Sequence, residues 1–201
     1  MAHKFPIALK KELDSPQRRR LFGPIKALRS LGIRKHITVA DVGCGTGFFT
    51  IPLVRIVGLK GMVFAVDISC EMLNEVKKRI RKNKLKNVKV LFSKENKIPI
   101  GSGKVDYCLL SSVVHELENK TSFFKELKRI LKERGRIGII EWKKIRSPLG
   151  PPLEERIPLS VIKQDIIKSG FDIKNVLSLG RYNCGIIAAK FEKEKDRCCA
   201  N

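Results

Sequence analysis

An α/β fold, with a mostly parallel sheet wrapped by helices on both faces and an antiparallel strand at its end, is what this sequence of 201 residues predicts. Three observations carry the expectation. Short runs rich in Val and Ile alternate with stretches of helical periodicity. The runs are apolar at consecutive positions, as strands buried on both faces require. The last two runs are separated only by GRYN, too little chain for a crossover helix, so they must pair antiparallel.

In chain order, HITVADVG (36–43) reads as the first strand and 48–57 as the first crossover helix. MVFAVD (62–67) is the second strand. The helix after it, 69–82, opens on a Ser69 N-cap and carries Met72, Val76 and Ile80 at four-residue spacing on its apolar face. VKVLFS (88–93) and VDYCLLSS (105–112) follow, then a helix over 119–133 and the strand RIGIIEW (136–142). RSPLGPPLEERI (146–157), with Pro148, Pro151 and Pro152, is too stiff for a helix and reads as an ordered lid. A helix near 160–169 leads to the closing pair, FDIKNVLSL (171–179) and CGIIAAKF (184–191), which makes seven strands. Residues 1–35 are expected to form a helical cap on the same domain as 36–191, and 192–201 a frayed, disordered tail.

Composition sets the surroundings. At 43% hydrophobic, the chain suits one domain with a sizeable core. The opening MAHKFPIALKKELDSP lacks the apolar stretch of a secretory signal, and no run approaches the ~20 apolar residues of a membrane span. A cytoplasmic protein with no membrane partner is expected. Six cysteines without a CxxC pair fit a reducing compartment and no structural zinc. The charge is unusual: 42 Lys and Arg against 20 Asp and Glu give +22, a balance that suits RNA or another anionic partner. KKRIRKNKLK (77–86) and the trio Arg18, Arg19 and Arg20 are the densest clusters. The first also reads as the solvated C-terminal end of its helix, where cations suit the dipole, at the opposite side of the sheet from the glycine loop.

That loop, ADVGCGTG (40–47), ends the first strand and opens the first helix, at the carboxyl edge where open α/β sheets bind ligands. A dinucleotide fingerprint, G-x-G-x-x-G, fails, because the sixth position is Phe48 counted from Gly43 and Thr50 counted from Gly45. A phosphate-binding loop of the Walker type fails too, since no Gly-Lys-Ser/Thr follows. What remains is D-x-G-x-G-x-G, with Asp67 closing the second strand.

On these residues the chain resembles the class I S-adenosylmethionine-dependent methyltransferases, from about residue 37 to 191. It looks closest to the ubiquinone/menaquinone-biosynthesis-like and type 11 group, with which it shares DISCEML (67–73), a KIP after the third strand and VVHEL (113–117) after the fourth. The resemblance implies a Rossmann-like methyltransferase fold with S-adenosylmethionine as cofactor. Asp41, Gly43, Cys44, Gly45 and Gly47 would line its methionine end, with Ser111 at the end of the fourth strand. Asp67 would hold both ribose hydroxyls, and Ile68 would lie against the adenine. Relatives supply an Asp after the third strand to read the adenine amino group; here SKENKIP offers Glu95 or Asn96 instead. The acceptor-binding helices of quinone methyltransferases have no recognisable counterpart.

The glycine loop also reads as a tight turn without ligand, and Asp67 as a residue favoured by a helix dipole. His115, just past the fourth strand, has an unperturbed pKa of about 6.5 that suits removal of a proton from an OH or NH nucleophile. It equally suits packing of the turn. Many methyl transfers need no base, because holding acceptor and methyl in line supplies ~7 to 11 kcal/mol. Glu141 and Trp142 stand where an acceptor pocket would be. No metal is expected, since Ser111, Ser112, His115 and Glu141 do not gather the carboxylates of a magnesium site. Three functions stay open: methyl transfer to a small molecule, which the compact domain favours; methyl transfer to RNA; and cofactor binding without catalysis.

Overall fold

The computed structural model describes residues 12–191, so the expected tail, with Cys198 and Cys199, lies outside the described residues, as does 1–11. Among the described residues, seven strands form one sheet. They are β1 (Thr38–Val42), β2 (Met62–Asp67), β3 (Val88–Phe92), β4 (Val105–Ser111), β5 (Leu131–Trp142), β6 (Phe171–Ser178) and β7 (Asn183–Lys190), in the order β3-β2-β1-β4-β5-β7-β6. β1 to β5 pair in parallel, and β7 is antiparallel to both β5 and β6. The helices are α1 (Pro16–Phe22), α2 (Pro24–Ser30), α3 (Thr50–Val57), α4 (Cys70–Lys82), α5 (Lys120–Ile130) and α6 (Leu159–Lys168). None is long and apolar enough to cross a membrane.

Side chains alternate across the sheet with the period of two that a strand imposes. Val39, Val63, Leu109 and Ile140 face one way and pack with Leu28 of α2 and Leu53 of α3. Ala40, Val66, Leu110 and Ile139 face the other way and pack with Phe124 and Leu127 of α5 and Ile162 and Ile166 of α6. Burial of each large side chain is worth about 1.5 to 3 kcal/mol, which explains why the strands are apolar on both faces. In α4, Ser69 caps as its sequence suggests, its hydroxyl accepting from Met72 N at 3.3 Å. At the N-terminus Ser15 caps α1, Pro16 opens it, and Gly23, with φ +48°, ends α1 and turns the chain into α2.

Of the boundaries that the structure moves, three follow from identifiable contacts. α3 starts at Thr50, because Phe48 and Phe49 belong to the turn that carries the glycine loop into the helix. α5 stops at Ile130 instead of reaching Glu133. β5 correspondingly begins at Leu131, which is buried and pairs with Val105, ahead of the RIGIIEW stretch. Charged residues in KERGR hid that start, since their exposed side chains break the apolar run.

Candidate active site

The glycine loop is built on the end of β1. Gly43 N and Cys44 N both donate to Val66 O of β2, at 2.8 and 3.0 Å, which folds the chain sharply across the strand ends. Gly43 and Gly45 take φ of +71° and +51°, a region that side-chain-bearing residues disfavour. At Gly43 part of the demand comes from the protein itself, because a Cβ would lie 2.4 Å from Val113 Cγ2. Gly47 N closes the turn onto Cys44 O at 2.9 Å. The Cys44 thiol is buried and burial holds it well above the usual thiol range, so it is unreactive filling.

The two carboxylates of the motif do different things. Asp41 is only 2% exposed, and its Oδ2 accepts from Thr50 Oγ1 at 2.6 Å. Burial pushes its pKa up to about 7, with the Thr50 bond pulling down and Asp67 adding to the rise. Asp67 receives Gly45 N on Oδ2 at 2.8 Å and Ser69 N on Oδ1 at 2.9 Å. Burial raises its pKa against those backbone bonds. A carboxylate has about four lone-pair sites, so the backbone N–H groups of Gly45, Ile68 and Ser69 leave Asp67 capacity to accept from a ribose hydroxyl. Beside it Ile68 is 40% exposed, an apolar surface open to a flat ring. The residues present therefore fit an adenosyl group.

Beyond β3 the two candidates for the adenine amino group part company. Glu95 Oε1 accepts from Glu118 N at 3.1 Å and Asn119 N at 3.4 Å, and so is committed to the start of α5. Asn96 is exposed.

At the ends of β4 and β5 lies a second cluster. The hydroxyls of Ser111 and Ser112 are shut off from solvent and have no hydrogen-bond partner among the described residues. Ser112 has φ +57°, and its N–H donates to Ile140 O at 2.8 Å. His115 sits on a 3-10 turn, Val114–Glu116, its Nδ1 3.0 Å from Glu141 Oε2. Glu141 Oε1 in turn accepts from Val114 N at 2.9 Å. Desolvation lowers the His115 pKa, but the hydrogen bond and charge of Glu141, helped by Glu116 and Glu155, outweigh it and leave the value raised. With Nδ1–H donating to Glu141, Nε2 is the nitrogen that can exchange a proton, and it stands 3.8 Å from Glu116 Oε1.

Several contributors were not evident in the sequence. Asp14, on a 3-10 turn before α1 (Glu12–Asp14), accepts from Thr46 Oγ1 of the glycine loop at 2.5 Å and pairs with Arg79 of α4. Leu13 lies over Gly45, its Cδ1 3.5 Å from where a Cβ would be. Arg18 is not simply solvent-facing: its guanidinium stacks over Phe48 at 4.5 Å and Phe22 at 5.2 Å and donates to Leu13 O. Burial lowers its pKa to about 10 despite the nearby Asp14. The proline-rich segment is ordered by Arg156, which donates to the carbonyls of Lys143, Ile145, Leu149 and Pro151 and stacks over Trp142 at 5.2 Å. The sequence signals for these were the basic trio Arg18 to Arg20, an acidic residue ahead of α1 and an arginine after the prolines, and none of them says what it meets.

Comparison with known proteins agrees with the geometry. Residues 33–184 match the family described as a methyltransferase domain. A SAM-dependent methyltransferase from Aquifex aeolicus is 39% identical, with 92% of this chain and 99% of that one covered and a TM-score of 0.89. A putative type 11 methyltransferase from Sulfolobus solfataricus is 25% identical over 93% and 98% of the two chains, at a TM-score of 0.67. Demethylmenaquinone methyltransferase of Geobacillus sp. (strain WCH70) is 27% identical over 114 residues, 57% of this chain and 49% of that one. The chain thus spans about half the length of the curated relatives it matches. A glycine loop tied to an acidic strand end, the match of residues 33–184 to a methyltransferase domain and the likeness to the Aquifex aeolicus protein over nearly the whole of both chains place this chain in the family of S-adenosylmethionine-dependent methyltransferases.

Proposed function

We propose that the chain transfers a methyl group to a small, enclosed acceptor bearing an OH or NH nucleophile, with residues 12–35 serving as a helical cap of the same domain. The observation that carries this reading is the pair of buried, unpartnered hydroxyls of Ser111 and Ser112, on the strand end that leads directly to His115 and its partner Glu141. Buried polar groups normally find partners, so hydroxyls left free there suit an acceptor held inside the protein.

When bound, S-adenosylmethionine supplies a methyl carbon made electrophilic by its sulfonium. Asp67 would hold the ribose through its remaining lone-pair capacity, and Ile68 would lie against the adenine. Asn96, or Glu95 through the Oε2 that its bonds to Glu118 N and Asn119 N leave over, would read the adenine amino group. The backbone of Gly43, Cys44, Gly45 and Gly47 would wall the methionine end, with Asp41 held behind it by Thr50. His115 Nε2 removes the acceptor's proton while Glu141 fixes the ring and favours the imidazolium that forms.

The test is to incubate the protein with methyl-labelled cofactor and fractionated cell extract. Label is expected in the small-molecule fraction, and His115→Asn should reduce it. The net charge of +22 favours RNA as a second acceptor class, and label in RNA would put that reading first. Tight cofactor binding with no label in any fraction would favour a binding protein without catalysis.

A further inference from the structure

The densest charge in the molecule follows one edge of the sheet. Ten basic residues and a single acidic one, Glu95, fall between positions 77 and 97. Helix α4 carries the first of them back towards the amino ends of the strands, away from the glycine loop. β3, the edge strand on that side, then brings the chain forward again. Lys84 and Lys86 precede β3, Lys89 lies within it, and Lys94 and Lys97 follow it; all five are exposed, and among the described residues none is in an ion pair. The track ends beside the glycine loop's partner, with Ser93 N donating to Asp67 O at 3.0 Å.

At that end the chain holds like charges together. Lys94 and Lys97 form an isolated antiparallel bridge, each N–H donating to the other's carbonyl at 3.2 Å, an arrangement that costs stability when both side chains are cationic. They border a cleft of about 580 Å³ lined also by Phe92, Ile98, Pro99 and Arg129. Its one carboxylate, Glu126, is neutralised by Arg129 through two 2.7 Å contacts, so the lysines leave the cleft positive. Phe92 is 53% exposed.

We propose that this edge, from Lys84 to Lys97, docks single-stranded RNA, with phosphates along Lys84, Lys86 and Lys89 and a base at the cleft beside Phe92. Exposed cations along one sheet edge, leading to an aromatic ring at a cleft that Lys94 and Lys97 border, are the two components of single-strand binding. RNA presents unstacked loops and ends as a matter of course, whereas duplex DNA does not. Five strand residues span roughly 16 Å, long enough for only a few nucleotides. The surface is independent of the acceptor, because docking requires no methyl transfer.

The experiment is fluorescence anisotropy of a labelled oligouridine across a series of about 50 to 200 mM salt. Binding by the parent is expected to weaken steeply with salt. Lys84→Gln, Lys86→Gln and Lys89→Gln together should lower affinity at least about tenfold and flatten the salt slope by roughly 2, at about 0.7 per phosphate contact. Phe92→Ala should weaken binding without changing the slope. The control Lys163→Gln, Lys168→Gln and Lys174→Gln, with the same charge change at the β6 end, should stay within about twofold of the parent, and melting curves confirm that each variant folds. Absent RNA binding, or equal loss in the control, overturns the proposal. So does binding to anionic lipid vesicles that the edge variant loses while RNA fails to compete.

Discussion

At the scale of single residues, Asp41 and His115 make opposite demands on pH. The Asp41 pKa is raised to about 7 by burial, so between that value and its unfolded range the folded protein retains a proton that the unfolded chain releases. Its contribution to stability is therefore complete at low pH and is lost as pH rises through about 7. Asp41→Asn should remove that dependence: between about pH 5 and 8 its stability relative to the parent should rise, by an upper limit of roughly 2.6 kcal/mol. Urea melts at the two pH values check this, and a difference between parent and variant that does not change with pH would sink it. Glu141 outweighs desolvation and keeps the His115 pKa raised, so a reaction that requires neutral imidazole loses rate on the acid side of that value. In Glu141→Gln the acid limb of kcat/KM should move to lower pH, and the plateau should fall roughly ten- to a hundredfold as base strength and ring orientation are lost. An unshifted profile would assign the pair to turn packing alone. The roles of Asp41 and Asp67 were only half legible in sequence. Their spacing pointed to the cofactor edge, but that Asp67 anchors Gly45 and Asp41 turns inward to Thr50 depends on where folding brings atoms 22 and 9 residues apart in the chain.

At the scale of elements, α2 is packed into the core through Leu28 and its C-cap Leu31, whereas the residues ahead of it are fastened over the glycine loop by a handful of polar and aromatic contacts. Asp14 joins Thr46 and Arg79, Arg18 lies on Phe48 and Phe22, and Phe22 meets Trp142 edge-on with ring centroids 5.3 Å apart. Trp142 is the single tryptophan of the chain and therefore a built-in reporter of this contact. Asp14→Asn should weaken the charged anchor, cost about 1 to 3 kcal/mol of stability and shift Trp142 emission to the red as the cover loosens, while the far-ultraviolet spectrum stays that of the parent. Emission identical to the parent would show that the cover is held by its aromatic contacts alone. The helices and strands of 36–191 were readable because period and apolar content are local properties. The boundary between α5 and β5 was not, because Leu131 becomes a strand residue through pairing with Val105, a contact that no local pattern records.

At the scale of the whole molecule, +22 charges on a compact chain repel one another. Raising salt from about 20 to 300 mM should raise the melting temperature by screening that repulsion, and a flat or falling melting temperature would show that fixed ion pairs dominate instead. Sequence alone determined the fold class, the site of the glycine loop and the antiparallel finish, since each follows from spacing and periodicity along the chain. Tertiary structure decided that β7 inserts between β5 and β6, that Arg156 ties the proline segment to Trp142, and that His115 meets Glu141 across 26 positions. It also decided that the basic run bends back along β3 to the cofactor edge. The physical reason is the same in each case: period and composition fix what a segment buries, whereas which polar groups meet depends on the order in which strands lie side by side, a property of the packed sheet and not of any stretch of sequence.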